Sequence, residues 1–146
     1  MSSQLILSIK DAMVRFNEKP IFENLSFNIH RGSRIALVGK NGVGKSTLMN
    51  VITGFLDLDE GERWEDIGVS IGYLKQDNEK INNETIFDYI FRKFKQEDKE
   101  SLKYKVDIIA SSLDLNTSQN MISLSGGQLR RAALARSLVE EPEILL

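Results

Sequence analysis

The sequence contains no cysteine, so it forms no disulfide and offers no thiolate to a metal. It has a single histidine, His30, and only two prolines. Long apolar runs are also missing. The opening Leu5-Ile6-Leu7 is cut by Ser8 and Lys10, too short for the apolar region of a secretory leader. No stretch approaches the roughly 20 apolar residues that a membrane-spanning helix needs. Neither charge sign dominates: the formal net charge is −2, which argues against a bulk basic surface for nucleic acid. Internal repeats and low-complexity linkers are absent. What remains is 146 residues, 41% of them hydrophobic, enough for one core. The expectation is a soluble, cytoplasmic protein with no direct membrane insertion.

Along the chain, residues 5–16 alternate loosely and suit one or two edge strands. From Asn24 to His30 the alternation is clean, with Leu25, Phe27 and Ile29 opposite Ser26, Asn28 and His30, which predicts a half-buried antiparallel strand. Ile35-Ala36-Leu37-Val38 has the continuous apolar character of a strand buried on both faces. Residues 45–53 have helical composition, with Gly54 placed as a C-terminal cap. Residues 57–61 read as a turn and 69–74 as a strand ending at Gln76. Ile86, Phe87, Ile90, Phe91 and Phe94 then take helical spacing behind Asn83 or Thr85 as cap. Lys93, Lys95, Lys99, Lys103 and Lys105 read as a solvated helix face, and Trp64 as a packed indole. Ser125 stands as N-cap to a helix over 126–140 that Pro142 closes.

Between the apolar run and the first helix lies Gly39-Lys40-Asn41-Gly42-Val43-Gly44-Lys45-Ser46-Thr47. A short loop between a buried strand and a helix N-terminus gathers backbone N–H groups, and the helix dipole adds to them, so the segment is built for anions. Gly39, Gly42 and Gly44 allow the chain to turn and to approach phosphate closely. Lys45 supplies a point charge to the β and γ phosphates, and the Ser46 hydroxyl suits Mg²⁺. Alone, the loop does not choose among the classes of nucleotide hydrolase.

Leu124-Ser125-Gly126-Gly127-Gln128 makes that choice, and with it the chain resembles the ATP-binding cassette (ABC) ATPases. The resemblance covers residues 5–146 and implies an α/β P-loop cassette core, a mixed sheet with an antiparallel β subdomain, plus a small helical subdomain. It places the ATP-binding core and β subdomain at 5–76, the helical subdomain at 83–140, and the start of the Walker B strand at 143–146. That last strand is expected beside 35–38. By resemblance, Phe16 stacks on adenine, while Gly39, Asn41, Gly42, Gly44, Lys45, Ser46 and Thr47 hold the ATP phosphates. Gln76 joins Ser46 at Mg²⁺ and contacts the attacking water. Ser125, Gly126, Gly127 and Gln128 face the ATP of a second cassette. The catalytic assignments are Lys45, Gln76 and, on the partner's ATP, Ser125.

Leu129-Arg130-Arg131-Ala132-Ala133-Leu134-Ala135-Arg136 and Ile71-Gly72-Tyr73-Leu74-Lys75-Gln76-Asp77 resemble the ABC-F group, closest to its Uup type. That group implies two cassettes in one chain, no membrane domain, and action on the ribosome or in translation. The fit is to an N-terminal cassette that stops just before the Asp-Glu pair of Walker B. His30 precedes the phosphate loop and cannot be the family's switch histidine; an exposed strand histidine is the expectation. These residues alone are therefore expected to bind ATP and to hydrolyse it poorly. Two alternatives stand: the nucleotide-binding subunit of a membrane transporter, and a non-catalytic remnant of a split gene.

Overall fold

The computed structural model describes residues 4–74, 81–92, 94–95 and 98–146. They divide into two compact units, Met1–Ile71 and Gly72–Leu146. In the first unit, β1 (Leu5–Phe16) lies between β2 (Lys19–His30) and β3 (Glu60–Glu65), antiparallel to both. Asn17 and Glu18 close the β1–β2 hairpin with φ of 48° and 66°. Positive φ at both central residues is the turn whose twist matches paired strands. β1 buries Ile6, Leu7, Ile9, Ala12 and Val14, against an expectation of an edge strand; it is the central one. The difference comes from β3. Its sequence, Glu-Gly-Glu-Arg-Trp-Glu, carries little strand propensity of its own, and pairing with β1 makes it a strand. Glu60 and Gly61 therefore belong to β3 and not to a turn, and Trp64 is half-exposed rather than packed.

The strand expected at 35–38 does not form. Ile35 is 62% and Val38 88% exposed, and the segment has no strand on either side among the described residues. A strand meant for burial on both faces is held by its neighbours, not by its composition. β2 keeps the expected alternation, with Ile29 buried and His30 half-buried at its end. Next comes α1 (Lys45–Thr53), which buries Leu48, Val51 and Ile52. Gly54 ends it with φ 78°, its N–H on the Val51 carbonyl at 3.1 Å. Arg63 of β3 donates to the Ile52 carbonyl at 2.8 Å, placing a cation where the helix dipole is negative.

The second unit begins within β4 (Ile71–Gly72) and contains α2 (Ile86–Phe91), α3 (Lys99–Ser112), a 3-10 turn (Met121–Ser123), α4 (Gly126–Val139) and β5 (Ile144–Leu145). The three helices meet over Ile86, Ile90, Val106, Ala110, Ala132, Ala135 and Val139, all buried to 1% exposure or less. Outside this core, Phe87, Phe91 and Phe94 form a ladder with centroids 5.7 and 5.6 Å apart, and Lys99 lies over the Phe87 ring. Of the two candidate caps for α2, Thr85 is the one that caps: its hydroxyl accepts from Asp88 N. The same hydroxyl donates to the Asp88 carboxylate at 2.7 Å. That bond, and then Lys99, hold the Asp88 carboxyl below the usual aspartate range.

β4 is shorter than the strand expected over 69–74, and Gln76 lies outside the described residues, as does Lys93. Leu146 N donates to Gly72 O at 2.9 Å and Leu74 N to Leu146 O at 2.8 Å. A residue that divides its bonds between the two flanks of one neighbour is in a parallel ladder. β5 was expected beside 35–38; the strand it pairs with is β4. Among the described residues no helix is long and apolar enough to cross a membrane.

Candidate nucleotide-binding site

The β1–β2 hairpin carries both ends of the site in the first unit. A Cβ at Gly44 would lie 2.5 Å from Ile21 Cγ2 and 3.7 Å from Phe22 Cδ1, so the loop is seated on β2 through a residue with no side chain. Gly44 also takes φ 104°, which side chains rarely adopt. Phe22 is paired with Val14, two residues before Phe16. Phe16 therefore stands about 7 Å further along β1, by the rise of an extended strand. Its ring is 70% exposed, so the sheet does not absorb it.

Among the described residues nothing neutralises the start of α1. Gly44, its N-cap, makes no side-chain cap bond, and the first turn has no acidic residue. The first helical bond runs from Leu48 N to Gly44 O, leaving the N–H groups of Lys45, Ser46 and Thr47 without an intrahelical acceptor. An uncapped helix end with its partial positive charge is the element an anion would complete. The Lys45 ammonium reaches back over the loop to the carbonyls of Gly39 at 2.5 Å and Lys40 at 2.9 Å. Gly39, Asn41 and Gly42 are exposed, as is Ser46, whose hydroxyl makes no hydrogen bond among the described residues. That free hydroxyl at the loop's end fits a hard oxygen-seeking cation such as Mg²⁺.

The second unit carries the Ser125 segment. Ser125 Oγ accepts from Gln128 N at 3.3 Å, and Gln128 Oε1 accepts from Ser125 N at 2.9 Å, a complete capping box. Gln128 thus spends its carbonyl oxygen on its own helix. Gly126 and Gly127 are exposed, and a Cβ on either would meet nothing within 4 Å. Neither needs positive φ. Two glycines in the first turn of a helix each cost about 0.5–1 kcal/mol relative to alanine. Among the described residues no contact explains them.

Thus the structure brings together Phe16, Gly39, Asn41, Gly42, Gly44, Lys45, Ser46 and Thr47 in one unit, and Ser125, Gly126, Gly127 and Gln128 in the other. Sequence reasoning missed Ile21 and Phe22, the seat of Gly44. Their signal was an apolar pair directly before the alternating part of β2. It also missed Asn120, whose signal was an Asn placed to cap the turn before Ser125.

These features define a P-loop ATP-binding domain. The family described as ABC transporter matches residues 22–146, and the chain belongs to that family. The ATP-binding protein Uup of Buchnera aphidicola is 38% identical, over 97% of this chain and 24% of that protein. The zinc import ATP-binding protein ZnuC of Vibrio vulnificus is 32% identical, over 97% of this chain and 54% of that protein. The crystal structure of a nucleotide-free ATP-binding cassette from an ABC transporter superposes with a TM-score of 0.80 at 24% identity, over 97% of this chain and 68% of that one. The chain thus spans about a quarter of its Uup relative and about half of its ZnuC relative. Its fold is that of an ABC cassette.

Proposed function

We propose that the chain binds ATP·Mg²⁺ between Phe16 and the phosphate loop, and that it works as part of an ABC-F-type protein in translation or on the ribosome. Phe16 takes the adenine; the N–H groups of residues 39–47 take the phosphates. Lys45 leaves its two loop carbonyls for the β and γ oxygens, an exchange of neutral acceptors for charged ones. Ser46, with Gln76, holds Mg²⁺, which when bound neutralises charge on the β and γ phosphates. The domains in this reading are the core at 5–76, the helical subdomain at 83–140 and the Walker B strand from 143, in a cytoplasmic protein.

The observation that carries the proposal is the uncapped, acid-free N-terminus of α1 beneath a lysine held, among the described residues, by backbone carbonyls alone. Ser125, Gly126 and Gly127 complete the nucleotide site of a second cassette, which accounts for two helix-weakening glycines with open space around them. Hydrolysis in this reading needs the Asp-Glu pair that ends the Walker B strand in this family, together with that second cassette. Likeness to Uup favours the ABC-F role. Likeness to ZnuC supports the second reading, a transporter's nucleotide-binding subunit. Titration of the chain with a fluorescent ATP analogue and Mg²⁺ tests the site, and absence of saturable binding rejects it. Co-sedimentation with ribosomes separates the two roles: the ABC-F reading requires nucleotide-dependent binding.

A further inference from the structure

One side chain joins the turn before Ser125 to a strand-like segment 37 residues upstream. Asn120 Oδ1 accepts from Ile122 N at 3.0 Å and caps the 3-10 turn. Its Nδ2 donates to Asn83 Oδ1 at 2.7 Å. Its carbonyl accepts from Ser123 N at 3.1 Å and from Ser123 Oγ at 2.8 Å. The backbone beside it is tied to the same upstream segment: Met121 N donates to Glu84 O at 2.8 Å, Ile86 N to Gln119 O at 2.9 Å, and Asn120 bridges Thr85. Beyond the turn, Leu124 is buried, and Ser125 emerges exposed at the head of α4. The path of the chain into Ser125 is therefore set at two places, the core under Leu124 and the amide of Asn120.

We propose that Asn120, through Asn83, is a positioning residue that fixes the angle at which Ser125, Gly126 and Gly127 are presented to a second copy's nucleotide. An amide suits the task because it is donor and acceptor at once. Oδ1 fixes the Ile122 N–H inside the turn, while Nδ2 fixes the turn against residue 83. The inference rests on the reading that Ser125 acts in trans. It goes beyond that reading by assigning the orientation of the segment to a pair of residues that never touch nucleotide. Asn83 is exposed, so the tie adds little to the stability of the helical core. Its effect is geometric: the glycines leave no slack for a partner, because close approach loses contact over fractions of an ångström.

Sedimentation velocity of the chain with Mg²⁺ and a non-hydrolysable ATP analogue measures nucleotide-dependent self-association, and monomer affinity for the same analogue is measured alongside. Asn83→Ala, at an exposed position, and Asn120→Leu are expected to weaken association at least tenfold with monomer affinity unchanged. Asn120→Asp is expected to restore association, since a carboxylate accepts from Ile122 N and from the other end of a turned Asn83 amide. Association of Asn83→Ala at wild-type strength overturns the proposal. So does a loss in Asn120→Asp equal to that in Asn120→Leu. A wild-type chain that binds the analogue yet never associates rejects the action of Ser125 between two copies of this chain, a result distinct from either.

Discussion

The Lys45 ammonium donates to the Gly39 carbonyl at 2.5 Å, closing the loop over six residues with a bond between its two ends. Lys40 accepts a second bond from the same ammonium. The loop is thus pre-shaped by the residue that would meet the phosphates, and its removal costs twice. Lys45→Ala is expected to weaken binding of a fluorescent ATP analogue by about 1.5–3 kcal/mol, the range for a charge-assisted hydrogen bond, which is more than tenfold. Titration of both forms is the check. Equal affinity would remove Lys45 from the site.

Phe16 offers a separable prediction, because its ring is largely outside the sheet core. Phe16→Ala is expected to cost about 1–3 kcal/mol of ATP affinity if base stacking on an aromatic operates as it does in nucleic-acid sites. The thermal midpoint should barely move, since little apolar area leaves the core. An affinity unchanged by the substitution would assign the adenine to another surface.

Much of this was legible wherever the signal was local. Ser125 as the N-cap of α4 is read from its place before the helical segment, and in the structure Gln128 completes it into a capping box. Gly54 ends α1 and Thr85 begins α2 for equally local reasons. The phosphate loop was legible because its glycines are demanded by its own backbone and seat. What was not legible depends on partners remote in sequence. β3 owes its existence to β1, 52 residues away at the Lys10–Glu62 pair, and no periodicity in its acidic sequence announces it. For the same reason the apolar run at 35–38 reads as a strand and, with no neighbour among the described residues, is not one.

Gly127 should reveal a conflict between stability and use. Alanine there meets open space and needs no change of backbone, so Gly127→Ala is expected to stabilise the helical unit by about 0.5–1 kcal/mol. The added methyl faces outward, where a second copy's nucleotide would approach, so nucleotide-dependent association should fall in the same variant. Thermal melting and sedimentation, run together, check the opposite signs. A destabilised variant would mean that the glycine is required by the fold.

Asp88 supplies a pH dependence whose sign follows from its surroundings. The Thr85 hydroxyl, then Lys99, lower its pKa in the folded state. A carboxyl lowered by folding stabilises the protein above its unfolded value, about 3.9, and loses that contribution as pH falls through the lowered folded value. Wild type should therefore be more stable than Asp88→Asn at neutral pH, with the gap closing as pH drops below about 3.9. Because the group is half-exposed and screened, the gap should be small. Urea unfolding of both proteins at several pH values measures it; a gap constant down to strongly acid pH would remove the Thr85–Asp88 pair as its source.

The run at 35–38 makes the last prediction. Ile35 and Val38 are mostly in solvent, Leu37 is exposed as well, and the backbone around them belongs to no sheet among the described residues. Unpaired backbone beside exposed β-branched side chains is a template for pairing with another chain. The 146-residue chain is therefore expected to scatter light and to bind a hydrophobic dye at concentrations where a covered sheet would do neither. Ile35→Lys with Val38→Lys should suppress both, since added charge at such a segment opposes association and neither side chain is in the core. The double variant should keep the melting transition of the helical unit, whose core residues lie entirely within 86–139. If the double variant aggregates as the wild type does, the exposed run is not the cause, and the other exposed apolar residues, such as Phe55 and Trp64, become the surfaces to test.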